Sequence, residues 1–106
     1  MNHKIEFDKM EWINTGEGSR HKIFIDGKTR VRLVEFSEGF NEKDWCKNGH
    51  AGAVLDGGFT LDFNGRPERY EKGEIFFIPA GESGKHKAVV GKNEKVTLLL
   101  FENMEE

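Results

Sequence analysis

Short runs of apolar and β-branched residues, one of them strictly alternating, follow one another along this chain, and turn signals break them every ~8–12 residues. His21 to Ile25 leads into Asp26-Gly27, a two-residue hairpin signal, because both residue types tolerate positive φ. Thr29 to Phe36, rich in β-branched and apolar residues, reads as the returning strand. Ala51 to Leu55 and Phe59 to Phe63 are predicted as two strands joined by a turn at Asp56-Gly57-Gly58. In the second, Phe59, Leu61 and Phe63 alternate with Thr60 and Asp62, giving one dry and one wet face. Asn64-Gly65 is a type I′ turn candidate from which Pro67 to Tyr70 returns. Ile75-Phe76-Phe77-Ile78 is apolar at every position, which predicts a central strand or one covered on both sides. Lys85 to Val90 and Lys95 to Phe101 complete the set.

No stretch sustains a 3.6-residue period, so the expected fold is all-β, a jelly roll or β-barrel of eight or nine strands. The 106 residues are expected to form one domain, with 1–19 as an N-terminal extension and 20–102 as the barrel. Met10, Trp12 and Ile13 precede a predicted loop at Asn14 to Ser19, and are expected against the main body as an added edge strand or at a dimer contact. Phe59, Phe63, Phe76 and Phe77 are assigned to the core.

Composition narrows the partners. Sixteen basic residues against nineteen acidic ones leave a net charge of −3, with no basic stripe of the kind that neutralises phosphates, so no nucleic-acid partner is expected. The longest apolar runs, Ile75 to Ile78 and Leu98 to Phe101, are far too short for a helical membrane span. One cysteine cannot close an internal disulfide, and the first residues are polar, so the expectation is a cytoplasmic protein. Leu98, Leu99, Leu100 and Phe101 are apolar on both faces, and a homodimer covering a strand edge is expected from them.

Candidate chemistry gathers in two places. Cys46, His50, Gly52 and Val54 share parity, so a thiol, an imidazole and a gap point to one face if the segment is extended. Gly84 and His86 share parity at a second strand entrance, where Gly84 leaves room. Cys46, His50 and His86 together suit Zn²⁺ with an open position, or Ni, Fe or Cu, with Asp44 or Glu82 as a further oxygen donor. Trp45 and Tyr70 are candidates to stack on a small-molecule ligand, and Arg32 to project into the barrel as a specificity group. The excess of positive charge at Lys85-His86-Lys87 could draw an anionic ligand. Paired-carboxylate and serine-triad catalysis have no support, since the acidic and serine residues lie in turns or on wet faces.

In order, these pieces resemble the cupin superfamily. Cys46, His50 and Val54-Leu55-Asp56-Gly57 stand where cupins carry their first histidine–glutamate motif, and Gly73 to His86, with Pro79-Ala80-Gly81, where they carry the second. The resemblance covers residues 20–102 and implies a barrel with an interior ligand site. The metal ligands depart from the family pattern. Asp44 and Cys46 fall near the two first-motif histidines, His50 at the glutamate, Gly84 at the second-motif histidine, and Glu74 replaces an aspartate. The pattern Trp-Cys, Gly-His and Lys-His-Lys is similar to that of a subgroup of very small cupins. Three readings stay open at this point: a metal-assisted enzyme acting on a small organic acid or sugar derivative, a metal-free module that binds or senses a small ligand, and a purely structural dimer whose pocket is vestigial.

Overall fold

A computed structural model describes residues 3–104. After a short 3₁₀ turn at Phe7–Lys9, eight strands follow: β1 (Ile13–Gly16), β2 (Ser19–Asp26), β3 (Thr29–Phe36), β4 (His50–Phe63), β5 (Arg66–Glu71), β6 (Ile75–Ile78), β7 (Lys87–Val89) and β8 (Val96–Asn103). All pairs are antiparallel. The larger sheet runs β1-β2-β3-β8-β4, with β6 on the far side of β4, and the smaller one places β5 and β7 on either side of the second half of β4. The fold is therefore a curled all-β jelly roll, as the alternation predicts.

One strand joins the two layers. The residues read as two strands and a turn are a single strand, β4, whose register slips between Val54 and Asp56. A bulge inserts a residue and bends the strand, and the buried side switches with it. Gly52 and Val54 face inward before the bulge; Phe59 and Leu61 do so after it. Asp and Gly signal a bulge as readily as a turn, which is why the sequence pattern suggested a hairpin. Gly57 has φ +75, and a Cβ there would lie 1.9 Å from the carbonyl oxygen of Lys95. Only glycine fits.

The core lies between the layers: Val34, Val54, Phe59, Leu61, Phe76, Ile78, Ala88, Val90, Val96, Leu98 and Leu100, with Phe36, Phe40, Phe63 and Tyr70 packed against it. Two expectations about it are overturned. Phe77 is not core but 77% exposed, and β6 is neither central nor covered on both sides, since Ile75 is 78% exposed too. As the edge of the larger sheet, β6 turns Phe76 and Ile78 inward and the alternate residues outward. Strand β8, in contrast, is interior, between β3 and β4, so it offers no edge to a partner.

The N-terminal residues do add an edge strand. Asn14 to Gly16 lie within β1 rather than in a loop, and β1 pairs with β2 as a hairpin. The next hairpin closes one residue later than the sequence reading, with Asp26 opposite Thr29 and Gly27 alone of the two loop residues at positive φ, as in a type II′ turn. Asn64 and Gly65 both take positive φ, as a type I′ turn requires.

Gly57→Ala should therefore cost about 3 kcal/mol in a urea unfolding curve, through clash and strain. Gly65→Ala, where positive φ is the only obstacle and nothing lies within 4 Å, should cost about 1 kcal/mol. Equal losses would contradict the role given to the bend.

Candidate metal centre

The two strand entrances face each other. Cys46 and His86 are directly opposed in an isolated antiparallel bridge, each N–H donating to the other's carbonyl at 2.8 and 3.0 Å. Opposed residues project their side chains to the same face, so the thiol and the His86 ring enter the barrel together. His50 opens β4 opposite Ile78, and its even parity in the half before the bulge turns it inward as well. The donor atoms of Cys46, His50 and His86 all lie within 4.8 Å of one another. Both imidazoles are buried, and Cys46 is partly so.

Each ring is held by its outer nitrogen. His86 Nδ1 donates to the carbonyl of Gly84 at 2.9 Å; a carbonyl can only accept, so this fixes the tautomer. His50 Nδ1 meets the Glu102 carboxylate. The Nε2 atoms are thereby left for the centre, and His50 Nε2 lies 3.5 Å from Cys46 Sγ. An outer partner on each histidine is the arrangement usual around metal-binding imidazoles.

Glu102 is held in turn. Arg32 grips it in a fork, Nε and Nη2 each 2.9 Å from a carboxylate oxygen, and Arg30 Nε donates to it at 2.6 Å. Burial works against the Glu102 charge, but His50 and Arg32 outweigh it and hold the carboxyl far below its ordinary range. Arg32 also reaches His21 Nδ1 at 3.2 Å. Burial first, then the charges of Arg32 and Arg30, lower the His21 pKa, so its ring is a neutral acceptor.

The centre itself is polarised. Burial opposes the Cys46 thiolate, but hydrogen bonds from His50 and His86 overcome this and lower the pKa to about 6. Burial also opposes the His50 cation, while Cys46 and Glu102 raise its pKa to about 9. Without a metal, at neutral pH, the pair is a thiolate beside an imidazolium. One thiolate and two imidazoles, with their tautomers fixed, form a donor set able to hold one metal ion. Donors around a tetrahedral Zn²⁺ sit about 3.3–3.7 Å apart given its usual bond lengths, so the Cys46–His50 spacing of 3.5 Å fits, while the trio as a whole, spread over up to 4.8 Å, would have to draw in to hold the ion.

The trio lies in the wall of an interior cavity of about 440 Å³. Its walls are chiefly apolar: Val34, Phe59, Leu61, Phe76, Leu98 and Leu100, with Phe36 and Phe40 stacked at 4.3 Å. Thr15, Gly16 and Glu17 also line it, so the segment expected to be an extension helps to form the site. The space expected at Gly52 is not part of it, because a Cβ there would lie 2.6 Å from the Phe76 ring and 2.7 Å from Leu100. Gly84 is required by the Pro79 carbonyl, 2.2 Å from where its Cβ would stand.

The remaining candidates are distributed differently. Arg32 lines the cavity, but its charge is bound to Glu102. Trp45 points away from it, beneath the ammonium groups of Lys87 and Lys85 at 4.6 and 5.5 Å. The Tyr70 ring packs against Phe59 and Phe76, and its hydroxyl donates to Glu68. Glu82 is exposed and bridges Lys47 and Lys85, while Asp44 stands at the cavity rim. Glu102 and Arg30 were missed. Their signal is parity: Glu102 shares that of the inward Leu98 and Leu100, and Arg30 that of Arg32 and Val34.

No family model and no curated protein matches the chain by sequence. Solved structures do match its fold. The polyketide cyclase RemF of Streptomyces resistomycificus superimposes with a TM-score of 0.82 at 23% identity, covering 99% of this chain and 81% of that one. An RmlC-like cupin of Shewanella frigidimarina gives 0.78 at 18% identity, covering 100% and 95%, and KdgF of a Halomonas species gives 0.75 at 20%, covering 93% and 91%. No helix among the described residues is long and apolar enough to cross a membrane.

In metal-free protein, the ultraviolet absorbance of the thiolate should appear as pH rises through about 6. In His50→Gln it should move up toward the ordinary thiol value of about 8.5. A wild-type thiol that titrates at the ordinary value would contradict the ion pair. The barrel, the bent strand between its layers and the matching structures together give this chain the cupin fold.

Proposed function

We propose that the protein binds a small molecule in the barrel interior and holds a divalent transition metal on Cys46, His50 and His86, as the anchor for that molecule. The observation that carries this reading is the convergence of three donor atoms whose two imidazoles are each tied back through Nδ1. Thiolate and imidazole donors favour Zn²⁺ and also suit Ni, Fe or Cu. Bound there, the ion would act as a Lewis acid on a ligand oxygen.

The chain's own residues would do the rest. Glu102, held by Arg30 and Arg32, keeps the His50 ring oriented and its Nε2 free for the centre. Phe36, Phe40, Phe59 and Leu61 exclude water from the bound molecule. With Arg32 already neutralised, the apolar wall of Phe36, Phe40, Phe59 and Leu61 favours a compact, largely apolar organic acid, and a sugar derivative, whose hydroxyls could meet Thr15, Ser19, Asn41 or Asn48, is the second reading. An aromatic acid would place its ring among the phenylalanines and its carboxylate at the metal.

Protein purified without a histidine tag and resupplied with Zn²⁺ should hold about one equivalent per chain, and Cys46→Ser or His50→Ala less than about a tenth. Glu102→Gln should keep the stoichiometry and lose about 10–100-fold in affinity. Wild-type protein that takes up no metal would leave a metal-free binding module. With Zn²⁺ loaded, aromatic carboxylates should raise the melting temperature more than sugar phosphates do, a ligand at 100 times its Kd adding about 2.7 kcal/mol. Stabilisation by sugar phosphates alone would contradict the ligand class.

A further inference from the structure

Cys46, His50 and Glu102 form a connected row in the barrel wall. His50 Nε2 lies 3.5 Å from Cys46 Sγ, and Nδ1 of the same ring meets the Glu102 carboxylate. Arg30 and Arg32 fix that carboxylate, and it and the imidazole are both buried. A sulfur within reach of an imidazole whose other nitrogen is held by a carboxylate is the arrangement that activates a thiol nucleophile. The two histidines of the centre differ in this respect. His86 is tied to a neutral carbonyl, His50 to a carboxylate. A carbonyl orients a ring, which is all that a metal ligand requires. A carboxylate also stabilises the charge that the ring carries while it holds a second proton.

The geometry points to a second activity of the same wall: in metal-free protein, Cys46 is the nucleophile that transfers an acyl group from an aryl ester to water. His50 carries the proton, and Glu102 is its positioning residue. The cavity sets the substrate class. Cys46 faces a space of about 440 Å³ walled by Phe36, Phe40, Phe59 and Leu61, which suits an aromatic ring. An aryl ester brings that ring on its leaving group, and a phenolate leaves readily.

The reaction has two steps. In the first, Sγ attacks the acyl carbon, the S–C bond forms and the bond to the aryloxy oxygen breaks. The departing oxygen keeps the electron pair and takes the proton from His50 Nε2, leaving a phenol and an acyl thioester on Cys46. In the second, water gives a proton to His50 Nε2 and its oxygen adds to the acyl carbon. The C–S bond breaks, the carboxylic acid departs and the thiolate and imidazolium are restored. The sum is ester plus water to acid plus phenol, with no change of oxidation state. This activity does not rest on the metal reading, because the sulfur can either ligate an ion or attack an ester.

Chelator-treated protein mixed with 4-nitrophenyl acetate should release a burst of about one equivalent of nitrophenolate per chain, followed by slower turnover. Peptide mass mapping should place a single acetyl group on Cys46. Cys46→Ser, a one-atom change, should show no burst. His50→Gln, with the circular dichroism spectrum of the wild type, should acylate at least about 100-fold more slowly. Glu102→Gln should lower the acylation rate at saturating ester and leave the half-saturating ester concentration unchanged, since the carboxylate touches the imidazole and not the ester. Three results would each overturn the inference: a wild type without a burst, acetyl groups on lysines with Cys46 left free, or a burst that persists in Cys46→Ser. Because the chelator removes any ion, none of them depends on whether the protein binds metal.

Discussion

The site depends on the Glu102 carboxylate. It is buried at the end of β8, held by two guanidinium groups on β3 and in contact with the His50 imidazole at the start of β4. A buried carboxylate without partners would cost several kcal/mol, and removing its cations would leave a penalty of comparable size. Together the charges form a closed set that links three neighbouring strands. That set is why His50 keeps one orientation, with Nδ1 toward Glu102 and Nε2 toward Cys46.

The backbone brings the other two donors to the same point. A reciprocal pair of backbone hydrogen bonds sets Cys46 against His86, and the carbonyl of Gly84 locks the second imidazole. The bulge in β4 carries the strand from one layer into the other, so that Phe59 and Leu61 face the cavity across from Leu98 and Leu100. Fold and chemistry are joined at these few positions. An apolar chamber is built by alternation, and its polar wall is built where two strand entrances meet.

Much of the fold was legible in the sequence because alternation and turn residues act locally. Thr29 to Phe36 emerged with the observed bounds, and Asn64-Gly65 adopts the expected turn. Asp56-Gly57 was misread because a bulge and a turn use the same residues. Phe77 was misread because an apolar side chain does not say whether its own chain or another covers it. At the site, parity placed Cys46 with His50 correctly along one segment. It could not reveal that His86 would stand opposite Cys46, which is set by pairing across forty residues of chain. Glu102 went unnoticed although its parity matched Leu98 and Leu100, since a charged residue at an inward position near a strand end looks like the end of burial.

The account's central claim is that Cys46, His50 and His86 bind one metal ion together. X-ray absorption of the Zn²⁺-loaded protein tests it most directly, because sulfur and nitrogen scatter differently and sit at different distances. The account predicts one sulfur at about 2.3 Å with imidazole nitrogens at about 2.0–2.1 Å. A first shell of nitrogen and oxygen alone would contradict it.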